Sequence, residues 1–102
     1  MISEIVCTLQ EIPENGSIRR TVGGRDLAIF RKGGQVYAID AICPHRRGPL
    51  DGTELEDDFI VVCPWHGWRF DVRTGKSPSH PGQVLCYQAE VVDGQVRVTV
   101  TP

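Results

Sequence analysis

The chain reads as all-β, a β-sandwich or small barrel base with a loop-rich insertion laid over one end. Three observations predict this. Short β-prone apolar runs follow one another along the chain, and Gly-Gly, Asp-Gly and Pro-containing turn signals separate them at short, fairly regular spacing. No segment sustains a helical period.

Taken in order, residues 4–9 (EIVCTL) form the first candidate strand, ended by Ile12-Pro13-Glu14-Asn15-Gly16. Residues 18–22 form the second, closed by Gly23-Gly24. Residues 27–30 (LAIF) form the third, closed by Gly33-Gly34, and residues 35–39 the fourth. Two apolar runs around a Gly-Gly pair predict a hairpin, because tight hairpin turns need positive φ. Residues 59–62 form a fifth strand running directly into Cys63. Residues 85–92 and 95–100 predict a last hairpin across Asp93-Gly94. The middle, residues 43–82, stands apart: it is rich in Pro, Gly and polar residues and holds all three histidines. It is expected to be a small subdomain of loops and short strands, within a single domain spanning 1–102.

Bulk properties exclude several classes. A chain of 102 residues supports one modest core and is too short for a cofactor domain plus a substrate domain. With 24% charged and 40% apolar residues it has ordinary globular composition. A net charge of −2 argues against nucleic acid as a partner. No apolar run approaches the ~20 residues of a membrane span, and Met1-Ile2-Ser3-Glu4 does not begin a secretory signal. The expectation is a soluble, cytoplasmic protein with no membrane partner. Four cysteines raise a disulfide framework, which a reducing cytosol disfavours.

Two of those cysteines alternate with histidines at ligand spacing. Cys43-Pro44-His45 pairs a thiol and an imidazole as C-x-H, and Cys63-Pro64-Trp65-His66 does so as C-x-x-H, with 17 residues between His45 and Cys63. Two soft thiolates and two imidazoles on two short loops can hold iron or zinc. A structural zinc module stays open as a remote alternative, although zinc fingers usually group thiols with thiols and imidazoles with imidazoles.

The pattern continues through Gly48-Pro49-Leu50, Gly67-Trp68-Arg69-Phe70-Asp71 and Thr74-Gly75. On these residues the chain resembles Rieske proteins over nearly its whole length. It is most similar to the small stand-alone ferredoxins of bacterial ring-hydroxylating oxygenases, with the small Rieske subunit of NADH-dependent nitrite reductase a close second. The resemblance implies a Rieske-type base carrying one [2Fe–2S] cluster, with Cys43 and Cys63 on one iron and His45 and His66 on the other. Two ferric ions, two sulfides, two thiolates and two neutral imidazoles then sum to zero charge, so the site accepts an electron more readily than an all-thiolate one. High-potential members carry a Ser and a Tyr where this chain has Trp68 and Phe70, and a disulfide between the ligand loops where it has Arg47. These departures imply a low potential within the family's roughly −150 to +300 mV range.

The implied function is that of a one-electron carrier rather than an enzyme. It would take electrons from a flavoprotein reductase and pass them to a terminal oxygenase; the alternative is a subunit of a larger redox enzyme such as nitrite reductase. A complete oxygenase is excluded, because its catalytic iron needs two further histidines and only His80 remains. His80 is expected in a proline-rich loop, residues 77–82, that covers the cluster. Cys7 and Cys86 are expected to be small buried hydrophobes. Trp65 and Trp68 read equally as packing and as docking surface, Arg46 and Arg47 as a rim that could steer an acidic partner, and Glu54, Glu56, Asp57 and Asp58 as a charged loop.

Overall fold

A computed structural model describes residues 1–44, 47–65, 67–78 and 81–101. Six strands form one antiparallel sheet in the order β1 (Ile2–Thr8), β8 (Gln95–Val100), β7 (Cys86–Val92), β4 (Gln35–Asp40), β3 (Arg25–Lys32), β2 (Ser17–Val22). The sheet curls so that its edge strands β1 and β2 approach each other. Arg20 on β2 closes the gap by donating from Nε to the Val6 carbonyl at 3.1 Å. β5 (Ile60–Val62) and β6 (Arg69–Asp71) form a separate two-stranded sheet.

The hairpin turns form where small and turn-forming residues predict them. Gly23 and Gly24 join β2 to β3 with φ of 59° and 80°, and Asp93 and Gly94 join β7 to β8 with 52° and 76°. Two consecutive positive φ values match the right-handed twist of the flanking strands. The first strand stops one residue earlier than expected, and residues 9–11 form a short 3-10 turn instead. Glu11 holds that turn by accepting the Thr8 backbone N–H at 2.6 Å. β6 had no counterpart among the expected strands. It is three residues long, too short to show a period, and exists through its pairing with β5.

β3 explains how the base supports everything else. Its run Leu27-Ala28-Ile29-Phe30 is fully buried on both faces. Leu27 and Ile29 enter one apolar core with Val36, Ala38, Val96, Val98 and Val100. Ala28 and Phe30 enter a second core with Ile39, Ala41, Leu50, Val61, Phe70 and Val72. Side chains alternate across a strand, so β3 and β4 are a shared wall between the base and the lobe formed by the chain between β4 and β7.

Phe59, just before β5, ties that lobe to the wall. Tyr37 of β4 meets its ring edge-on at 5.7 Å, the Lys32 ammonium of β3 lies 5.2 Å from the centroid, and the Arg73 guanidinium stacks 4.0 Å from it. Arg73 in turn donates to the Asp71 carboxylate from Nε at 3.1 Å and Nη2 at 2.8 Å. Two residues of the acidic run have the same role: Asp57 pairs with Arg69 at 2.6 Å and Asp58 with Lys32 at 3.2 Å, on a turn where both aspartates take positive φ.

The side-chain hydrogen bonds from Arg73 hold the Asp71 carboxyl below its usual range. Its stabilisation is therefore complete above the ordinary carboxylate value of about 3.9 and is lost as pH falls through the lowered native value. Denaturant unfolding from pH 7 down to pH 2.5 should show a smaller acid-induced loss of stability in Arg73→Met than in the unmodified protein; equal losses would remove the Asp71–Arg73 pair from the account.

Candidate metal centre

Cys43 and Cys63 are each 1% exposed and lie in the same apolar core, between Ala41, Leu50, Val61 and Phe70. Each sits at the base of a loop, and the two loops share one backbone frame. In the first, the Cys43 N–H donates to the Gly48 carbonyl at 2.8 Å and the Arg47 N–H donates to the Cys43 carbonyl at 2.8 Å. In the second, the Cys63 N–H donates to the Trp68 carbonyl at 2.7 Å and the Gly67 N–H donates to the Cys63 carbonyl at 2.9 Å. In both, the residue four after the cysteine takes the left-handed conformation, Arg47 with φ 59° and Gly67 with φ 71°. The different C-x-H and C-x-x-H spacings thus hang on equivalent scaffolds, a match that sequence spacing does not show.

The flanks of the loops are pinned. Leading into the first, the Leu50 N–H donates to the Ala41 carbonyl at 2.7 Å, and Ile42 and Pro49 pair as an isolated bridge. The second leaves β5 and returns through β6, with Val61 opposite Phe70. Asp40, which precedes the first loop, fastens the point where the chain leaves the lobe. Its carboxylate accepts the Leu85 N–H at 2.9 Å and the Tyr87 hydroxyl at 2.6 Å, and its own N–H donates to the Leu85 carbonyl at 3.1 Å. Burial, then the hydrogen bond to Asp40, push the Tyr87 phenol up to about 12. Between Asp71 and Val84 the chain packs back on itself at Gly75. Its φ is 79°, the Val84 N–H donates to its carbonyl at 2.8 Å, and a Cβ there would collide with the Val84 carbonyl oxygen.

The expected ligands His45 and His66 lie outside the described residues, as do Arg46 and His80. Among the described residues no three His, Cys, Asp or Glu side chains group as a metal site. The loop expected as a cover closes at its base, where Lys76 and Gln83 pair and the Ser77 N–H donates to the Gly82 carbonyl at 3.2 Å. Of the tip residues, Pro44, Arg47, Pro64, Trp65 and Gly67 are exposed, while Trp68 is half-buried and tilts at 56° against Phe70.

None of the four cysteines is in a disulfide. Cys7 is buried as expected, and its burial raises the thiol's pKa. Cys86 is a correction: the residue is exposed. It opens β7 opposite Ile39, on the face of the sheet that the lobe packs against, and at this end of the strand the lobe covers it only in part. Its Sγ nevertheless lies 3.7 and 3.5 Å from the Val72 and Arg73 carbonyls, and desolvation raises its pKa too.

An all-β base bearing two matched loops, each with a buried thiol at its root and an imidazole two or three residues further on in the sequence, carries the donor set of a mixed Cys/His metal centre. The chain belongs to the Rieske [2Fe-2S] domain family, whose model matches residues 3–88. It is 35% identical over 98 residues to the 3-phenylpropionate/cinnamic acid dioxygenase ferredoxin subunit of Photorhabdus laumondii, covering 94% of this chain and 92% of that one. The ferredoxin of carbazole 1,9a-dioxygenase from Nocardioides aromaticivorans superposes with a TM-score of 0.89 at 28% identity, covering 99% and 100% of the two chains. A complex of reduced oxygenase and oxidized ferredoxin in carbazole 1,9a-dioxygenase contains a chain 32% identical, with a TM-score of 0.82 and coverage of 94% and 91%. A protein from Mycobacterium tuberculosis described as an NADH-dependent nitrite reductase small subunit has a TM-score of 0.91, covering 100% and 98% of the chains; at 19% identity it speaks to the fold alone.

The family's cofactor is one Rieske-type [2Fe–2S] cluster. The residues fit it: two cysteines outside any disulfide, shielded from water in one core and placed at the roots of equivalent loops, suit thiolate ligation of iron.

Arg47 holds a left-handed conformation that costs a side-chain-bearing residue about 1–2 kcal/mol, whereas glycine adopts it freely. After the larger unfolded-state entropy of glycine, Arg47→Gly should raise stability by about 0.5–1 kcal/mol in denaturant unfolding of the metal-free protein. A loss of stability would show that the Arg47 side chain contributes more than its backbone strain costs.

Proposed function

We propose that this chain is a one-electron carrier that takes electrons from a flavoprotein reductase and delivers them to a terminal oxygenase in the cytoplasm. It performs no bond chemistry of its own. The observation that carries the reading is its near full-length match to a dioxygenase ferredoxin subunit, joined to the two equivalent cysteine loops. A chain of similar sequence found in a complex with an oxygenase supports the second half of the path.

The proposed ligands are Cys43 and Cys63 for one iron and His45 and His66 for the other. When bound, the cluster supplies a site that gains and loses a single electron. The protein's own residues set the conditions. The apolar core around Cys43 and Cys63 excludes water from the thiolate side. Phe70, fully buried, and half-buried Trp68 put hydroxyl-free rings beside the second loop, which supports a potential low in the family's range. Exposed Pro44, Pro64 and Trp65 give the tip an apolar face, and exposed Arg47 adds positive charge that favours an acidic rim on the partner. No helix among the described residues is long and apolar enough to cross a membrane.

Electron delivery tests this reading. Pre-reduced protein, mixed anaerobically with purified terminal oxygenases of ring-hydroxylating systems, should be reoxidised in a second-order step by at least one of them, and aromatic substrate turnover should require it. Failure with every oxygenase, together with stable 1:1 copurification with a nitrite reductase, would replace the carrier with the subunit reading.

A further inference from the structure

No disulfide joins the two metal-binding loops, since none of Cys7, Cys43, Cys63 and Cys86 is in one. Trp65 crosses between them instead. It stands two residues after Cys63 in the second loop and lays its indole on Gly48 of the first. A Cβ built on Gly48 would come within 2.6 Å of the indole Cγ and 2.8 Å of Nε1, and closer still to Cδ1. The Gly48 backbone lies outside the left-handed region, so its conformation does not call for glycine; the space beneath the indole does. Gly48 is also the residue whose carbonyl accepts the Cys43 N–H and closes the first loop. The indole is therefore seated on the closing residue of one loop while belonging to the other, and 57% of Trp65 remains exposed.

We propose that the Trp65–Gly48 contact is a non-covalent latch that keeps the two loops together around the cluster and slows its release. Trp65 acts here as a positioning residue: it touches the loop that carries a thiolate ligand and need not touch the cluster. The exposure of the ring is compatible with this, because a flat aromatic surface on a bare backbone removes water from one face of the indole only. The inference rests on the [2Fe–2S] cofactor and is independent of which partner receives the electron.

The test measures cluster loss from the holo-protein under anaerobic conditions, as decay of the visible absorbance in excess EDTA. Trp65→Ala and Gly48→Ala should each speed the loss roughly tenfold, and Trp65→Tyr should stay near the unmodified rate because a flat ring still covers Gly48. In the Trp65→Ala background, Gly48→Ala should add nothing, since the space it fills has been vacated. Denaturant unfolding of the metal-free base should change little in Trp65→Ala. An unmodified rate in Trp65→Ala, a Trp65→Tyr as fast as Trp65→Ala, or equal harm from Gly48→Ala in both backgrounds would overturn the latch. Should Gly48→Ala fail to take up a cluster, the comparison of Trp65→Ala with Trp65→Tyr decides alone. No reductase or oxygenase is present, so a negative result leaves the carrier reading intact, and a failure of electron delivery leaves the latch intact.

Discussion

The structure depends on placing two thiols in one dry core while the loops that carry them end in water. A thiol at the root of a loop is easily buried; holding two of them in matching attitudes is harder, because a loop has no ladder to fix its backbone. The chain solves this with the same pair of hydrogen bonds twice, one closing each loop from the cysteine N–H and one turning back onto the cysteine carbonyl. The turn back requires a left-handed residue, which glycine supplies in the second loop and Arg47 supplies under strain in the first. The rest of the fold serves this arrangement. β3 and β4 offer a wall apolar on both faces, one side completing the base and the other flooring the core that holds Cys43 and Cys63.

What is not held by burial is held by polar and aromatic fasteners at the edges of the lobe. Asp40 joins its entry to its exit through Leu85 and Tyr87. Phe59, stacked by Arg73 and flanked by Lys32 and Tyr37, anchors the start of β5 to the base. Exposed ion pairs contribute little singly, yet Asp57–Arg69 and Asp58–Lys32 tie the turn before Phe59 to β6 and to β3. The contrast between a rigidly fastened root and an exposed apolar tip suits a carrier, which must keep its cofactor and still present it to a partner.

Much of this was legible in the sequence, for identifiable reasons. Gly23-Gly24 and Asp93-Gly94 announce hairpins because few other residues tolerate their dihedrals, and the strands they join fall within one or two residues of expectation. The cysteine and histidine spacings, with the glycines around them, led to the family. The misses arise where structure is set by contacts far apart in sequence. β6 exists through its pairing with β5, Cys86 is exposed because the lobe covers its end of β7 only in part, and the equivalence of the two loops lies in backbone hydrogen bonds that a C-x-H and a C-x-x-H spacing disguise. The even choice between packing and docking for Trp65 could not be settled from residue type; its seat on Gly48 gives it a packing role that its exposure alone would hide.

Cys43 and Cys63, with His45 and His66, are the proposed ligands of one [2Fe–2S] cluster. Electron paramagnetic resonance of anaerobically purified protein, before and after dithionite, tests this assignment most directly. The oxidised sample should be silent, and the reduced sample should give a rhombic signal with the low average g of a histidine-ligated cluster. A colourless protein that stays silent in both states, carries one zinc per chain and takes up no cluster on reconstitution with iron and sulfide would contradict it.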